Sequence, residues 1–288
     1  MPDLHVVDTE SMEWENGLDS IANMAPEFRA NLGPAEKLEE TFTKYNMKLL
    51  FNDPTTTRRC ERIHLDPGYA DLTPSFHDSV EECLFLEGSC YIHGEGEFKK
   101  GDYFWRPPGW VHWVETTQGF DAVLFHEGVN ETEKSGQSSR RVRPDEQCGT
   151  NQLHLDHNTA IGPRGWVKQL DTNLVPWQRG PVFARSEESL RGYDLDHISF
   201  KVLSKNPVAG SQSLLAKLDK GYQQEGAGHH SAAQHLFVIA GSLTLGGRTI
   251  TKGGYIYREA GSVHPPMGSN EGAELFIKTG GWLDFHIA

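Results

Sequence analysis

Short apolar runs separated by glycine, proline and aspartate make up most of this chain. The stretches "KLLF" (48–51), "RCERIHL" (59–65), "ECLFLEGSCYIHG" (82–94) and "DAVLFHEG" (121–128) are rich in β-branched and aromatic residues and end at turn formers. Such segments predict strands. The second half gives "ISFKVL" (198–203), "SLLAKL" (213–218), "HLFVIAGSLTLGG" (235–247), "RTITKGGYIY" (248–257) and "AELFIKTGG" (273–281). Strands this short and this regularly spaced point to an antiparallel sandwich or barrel. Helix is expected only over "GPAEKLEETFTKY" (33–45), over "SMEWENGLDSIANM" (11–24), and as one turn near "SEESLRG" (186–192).

The two sets of strands are copies of one another. A shift of 153 positions lays Pro54 on Pro207, "LDPGY" (65–69) on "LDKGY" (218–222), His77 on His230, Glu81 on Gln234 and Gly88 on Gly241. One residue is then lost, and "GDYFWRPPGWVH" (101–112) meets "GGYIYREAGSVH" (253–264), with His112 on His264. Gly119 and Gly128 return to the first register with Gly272 and Gly281, and upstream Trp14 matches Trp177. An ordered, nearly gap-free match of this kind indicates a duplicated unit. The expected organisation is one domain over 1–147, a polar join over 148–163 and a second domain over 164–288.

Composition narrows the function classes. The chain has 288 residues, 37% of them hydrophobic, with 14 Phe, 7 Trp and 8 Tyr, enough to fill a core. Its net charge of −13 repels phosphate backbones, so no nucleic-acid partner is expected. No apolar run approaches the ~18 residues of a membrane span, and no signal peptide is visible. Cys60, Cys83, Cys90 and Cys148 show no CxxC pair and read as reduced thiols, so a soluble cytoplasmic protein is expected.

The first copy carries Ser75, His77 and Glu81, then Pro107-Pro108-Gly109-Trp110-Val111-His112. This resembles the two-part signature of the cupin superfamily, HxHxxxE followed by PxGxxH. "EECLFLEGS" with "GDYFWRPPGWVHW" is most similar to a branch holding acetylacetone dioxygenase-like enzymes and the cupin domain of an anti-sigma factor. The resemblance implies an all-β fold of two tandem cupin barrels (double-stranded β-helix, jelly roll) with a few short helices.

It also implies a divalent metal held by His77, Glu81 and His112, with Fe(II) favoured over Zn, Mn or Ni. Side chains four apart on one strand share a face, so His77 and Glu81 are expected to look into the barrel together. Ser75 stands where the family has its first histidine, leaving three ligands. The second copy offers a weaker set, His230, Gln234 and His264, without the carboxylate. His229 and His235 lie nearby, and adjacent His229 and His230 cannot both face inward without a bulge.

Tyr103, Trp105 and Trp110 are the expected substrate-binding residues, with Trp113 as a further wall. Glu82 reads as a solvated or interfacial carboxylate, and His93, His126, His154 and His157 as surface or loop histidines. No catalytic residue is singled out. The function implied is a metal-dependent enzyme, a non-heme Fe(II) dioxygenase for a small dicarbonyl or enolisable substrate. The alternatives are a non-catalytic metal or small-molecule sensor, and a metal-dependent isomerase, lyase or hydrolase. A monomer or homodimer is expected.

Overall fold

The computed structural model describes residues 4–22, 35–56, 58–77, 79–127, 139–141, 164–179 and 184–288. The expected join over 148–163, with Cys148, His154 and His157, lies outside these. The protein is all-β, with strands where the apolar runs fall and two short helices among the described residues, α1 (Gly17–Ala22) and α2 (Ala35–Phe42). No helix among the described residues is long and apolar enough to cross a membrane. Two compact units form: Glu13–Asp171, and Met1–Met12 with Thr172–Ala288.

In the unit Glu13–Asp171 one long strand, Val80–Ile92, organises the sheet. Its first half pairs antiparallel with Phe120–Glu127 on one side and Asp102–Arg106 on the other. Past Gly88 it pairs instead with Gly96–Lys99 and His112–Glu115. Changing partners midway lets one strand serve both layers of a rolled sheet. Phe120–Glu127 continues to Arg59–Leu65 and then Tyr45–Asn52. Alternate side chains, among them Ile63, Cys83, Phe85, Ile92, Phe104, Phe120 and Leu124, fill the interior. Asn16 accepts from the Leu18 amide at 3.1 Å and so caps α1. Ile21, Leu38 and Phe42 join α1 to α2 in a small apolar cluster.

The other unit is built alike. Gln234–Leu245 pairs with Gly254–Arg258 and Ala273–Thr279, then past Gly241 with Arg248–Thr251 and Met267–Ser269. Its core gathers Phe200, Leu214, Leu236, Val238, Ile256 and Leu275. A glycine stands at the same bend in both units. Gly88 has φ +73° and a Cβ there would meet the Gly119 carbonyl oxygen at 2.1 Å; Gly241 has φ +73° and would meet that of Gly272 at 2.1 Å. Only glycine fits such a backbone at so close an approach. Gly88→Ala is therefore expected to cost about 2–5 kcal/mol, combining backbone strain and overpacking. A denaturation midpoint equal to that of the parent would contradict the assignment.

The units differ at their ends from the boundaries expected at 1–147 and 164–288. Leu4–Asp8 pairs with Gly254–Arg258, and Val167–Asp171 pairs with Asp102–Arg106. Gly254–Arg258 and Asp102–Arg106 are equivalent strands of the repeat, and so are the two arms that cover them. Each arm thus lies on the sheet of the other copy. A matched tryptophan follows each arm: Trp14 has Lys48 over its ring at 4.3 Å, and Trp177 has Lys201 at 4.5 Å.

Candidate metal centre

His77 ends the strand Ala70–His77, and Glu81 is the second residue of the next one. They therefore reach one another across a corner of the chain and not along one strand, as the four-residue spacing had suggested. His112 opens the strand His112–Glu115, and its backbone pairs with Ser75. The Pro-Gly turn before it is tied back to the first histidine, because the Gly109 amide donates to the His77 carbonyl at 2.9 Å. Gly109 has φ +81°, which this turn requires.

The three side chains converge. His77 Nε2 lies 3.8 Å from Glu81 Oε1, and His112 Nε2 lies 3.7 Å from Glu81 Oε2. One donor atom from each residue falls within 4.8 Å of the others, in the single such group found among the described residues. Ligand atoms ~2.1 Å from one ion stand roughly 3–3.5 Å apart, so a small contraction would close this set on a divalent cation. The tautomers suit the task. His112 Nδ1 meets the Trp110 carbonyl at 3.2 Å, which turns Nε2 toward Glu81.

Protonation suits it too. Burial lowers His77 to about 4, partly opposed by Glu81. Burial alone would raise the Glu81 carboxyl, but His112, His77 and Arg106 together hold it below its usual value. At neutral pH the site offers a neutral imidazole and an ionised carboxylate. Ser75 donates to the His112 carbonyl at 3.4 Å, so this hydroxyl supports the histidine backbone in place of supplying a ligand.

Arg106 anchors the carboxylate. Its guanidinium reaches Glu81 Oε2 at 3.3 Å and Glu95 Oε2 at 3.0 Å, and lies 3.6 Å from the centre of the Phe104 ring. Glu95 in turn accepts from Trp110 Nε1 at 3.0 Å. His126 completes the surroundings. It stands directly across from Glu81 in the neighbouring strand, its ring 5.0 Å from that of His77, with Nδ1 3.1 Å from Ser79 Oγ. It is 4% exposed and burial pushes its pKa far down, so it is neither a surface nor a loop residue. Strand alternation through Ala122, Leu124 and His126 carried this signal.

The site opens into a cavity of about 560 Å³ within the same barrel. Its walls are largely apolar, with Met47, Ile63, Phe85, Phe104 and Leu124 beyond the triad, and Ile21 and Phe42 contributed by α1 and α2. Trp113 also lines it, whereas Tyr103, Trp105 and Trp110 do not. Tyr103 and Trp105 share the parity of Glu82, opposite to that of Glu81, so they face away from the triad. Glu82 is wholly buried there and is not solvated: Tyr103 Oη donates to it at 2.6 Å and Arg164 lies 3.8 Å away. His93 stacks on Trp113 with ring centres 5.3 Å apart and pairs with Glu115 at 3.0 Å.

The second copy brings His230 and His264 together as stacked rings 5.1 Å apart. An arginine sits against one of the expected ligands. Arg258, the repeat equivalent of Arg106, places Nη1 3.1 Å from His230 Nε2, while His230 Nδ1 bonds the Asp284 carbonyl. The lone pair that a metal would need is thus turned to a guanidinium. Gln234 faces Arg258 across the strands and cannot neutralise it. Burial brings Arg258 down to about 10, which leaves it charged at neutral pH. His229 lies in a separate strand pair, facing His286.

These histidines make stability depend on acid. Burial, then Arg258, lowers His264 to about 4, as burial lowers His77. The unfolded chain binds these protons from about pH 6.5 downward and the folded one only near pH 4. Stability of the metal-free protein is therefore expected to fall as pH drops from 6.5 to 4, and His264→Gln should flatten the slope. A melting temperature constant across that window would contradict the burial of these rings as neutral groups.

Residues 192–282 match a family model described as the ChrR cupin-like domain. No curated protein is recognisably similar in sequence. Among solved structures, a candidate dioxygenase from Nostoc punctiforme aligns over 100% of this chain and 88% of its own, at 14% identity and a TM-score of 0.70. The protein Ylba from E. coli aligns over 96% and 90%, at 11% identity and a TM-score of 0.54. Oxalate decarboxylase from Lactobacillus farciminis aligns over 85% and 84%, at 12% identity and a TM-score of 0.51. At these identities the likeness speaks for architecture, and with the matched domain it makes the chain an all-β protein of two tandem cupin barrels.

Proposed function

We propose that the first barrel is the working half of a metal-dependent oxygenase, with Fe(II) held by His77, Glu81 and His112, that cleaves a small dicarbonyl or other enolisable compound. The observation that carries the reading is the convergence of two imidazoles and one carboxylate at the wall of a largely apolar cavity. Three ligands from one side leave further coordination positions free, the arrangement suited to non-heme iron. An iron(II) ion bound there would supply Lewis acidity toward an enolisable carbonyl and electrons for dioxygen. Arg106 and Glu95 would keep Glu81 ionised and oriented. The apolar walls would hold the body of the substrate and exclude water from the reacting end. The Nostoc punctiforme protein of like fold, described as a candidate dioxygenase, makes this reaction the first to test.

The reading carries with it a small-molecule substrate, no nucleic-acid or membrane partner, and a monomer or homodimer. Cys83 and Cys90 are buried free thiols, which supports a reducing cytoplasmic setting. The test is elemental analysis of protein purified without oxygen, followed by oxygen uptake with a series of 1,3-diketones. Iron near one equivalent with substrate-dependent uptake supports the proposal. Firmly held zinc without oxygen uptake would favour the sensor or the non-redox enzyme instead.

A further inference from the structure

The repeat offers an internal comparison at one arginine. In the first barrel Arg106 is buried between two carboxylates, Glu81 and Glu95. In the second barrel the arginine is kept and both carboxylates are gone: Gln234 replaces Glu81, and the turn that carried Glu95 has become Gly246-Gly247. Arg258 is 1% exposed. Its hydrogen-bond contacts are His230 Nε2 at 3.1 Å and Met267 Sδ at 3.8 Å, and the phenols of Tyr193 and Tyr222 lie near it; none of these is charged at neutral pH. The carboxylate of Asp284, which flanks the site, is engaged by the Ser231 amide at 2.9 Å and by His286 at 3.3 Å.

A buried charge without a counter-ion is costly, and folded proteins seldom leave one so. Three further buried polar atoms of this cluster have no partner: Arg258 Nε, Gln234 Nε2 and His264 Nε2. The first two are N–H donors. His264 Nδ1 meets the Pro265 carbonyl at 2.8 Å, which leaves Nε2 as an acceptor. A cation is repelled here, and two donors beside a fixed positive charge suit a carboxylate.

We propose that the second barrel is an anion site, in which Arg258 and Gln234 bind a small carboxylate and His264 Nε2 accepts from a hydroxyl that the ligand carries next to it. Loss of two acidic residues leaves the duplicated position with an unbalanced positive charge. This reading stands independently of any metal in the first barrel.

Glycolate and acetate are the probes, against sodium chloride at equal ionic strength, with melting temperature as the readout. Glycolate is expected to raise the melting temperature saturably, by about 5 °C or more at a hundredfold excess over its Kd. Acetate should do so less, and chloride not at all. Arg258→Met should abolish the response. Gln234→Glu restores the lost counter-charge, so it should raise the melting temperature without ligand and remove the response to glycolate. It also tests the idea should Arg258→Met fail to fold. His112→Ala, which disables only the first barrel, should leave the response intact. Equal shifts with glycolate and chloride, a response that persists in Gln234→Glu, or one lost in His112→Ala would each overturn the proposal.

Discussion

Changing His77 or His112 to alanine is expected to strip the first barrel of metal, lowering affinity by more than about 100-fold. Even partners beyond the ligands cost 10–100-fold when removed. The expectation rests on the count of donors. With Ser75 engaged at a backbone carbonyl, the set has three members, and taking one leaves two. The remaining pair cannot hold a labile divalent ion against water. His126→Ala is the control. It shares the cavity and touches the ring of His77, yet its nitrogens fall outside the convergent set. Metal content by elemental analysis should therefore survive that change and collapse in the other two. Unchanged content in both ligand variants would reject the assignment.

The second large effect is on stability. Arg106→Met should cost about 3–5 kcal/mol, because it leaves two largely buried carboxylates without their shared cation. The Glu95 side chain is 1% exposed, so water cannot take over the role of the guanidinium there. The methionine would keep part of the packing on Phe104 but none of the charge. A second change should reveal the cause: Glu95→Gln in the Arg106→Met background is expected to return part of the loss, since one unpaired charge is removed. A single-variant cost below about 1 kcal/mol, or no recovery in the double variant, would mean that the pair holds nothing in place.

Much of this architecture could be read in the chain. The strands fall where short β-branched and aromatic runs meet turn formers, and the bend glycines Gly88 and Gly241 stand out because both copies keep them. The convergent triad of His77, Glu81 and His112 was legible from the family-like motif, although the mechanism of its convergence was not. Spacing suggested one strand, whereas a corner brings His77 onto Glu81. His126 was hidden because it lacks a motif, and only parity along its strand marks it as inward. Tyr103 and Trp105 were misplaced for the same reason in reverse: they match Glu82 and not Glu81. Arg106 and Arg258 looked alike in sequence. Their difference lies in partners 11 to 25 residues away, and a linear reading does not reveal which charges meet.

The crossed arms have a consequence for anyone dissecting the molecule. A clone spanning only 164–288 would lack Leu4–Asp8, and with it the ladder partner of Gly254–Arg258. The orphaned border would offer a row of bare amides and carbonyls to any neighbouring polypeptide, an invitation to sticky, fibre-like association. Half-length pieces made by cutting at the repeat junction should therefore behave worse than the intact chain, and a soluble C-terminal half would need its borrowed N-terminal ribbon grafted back.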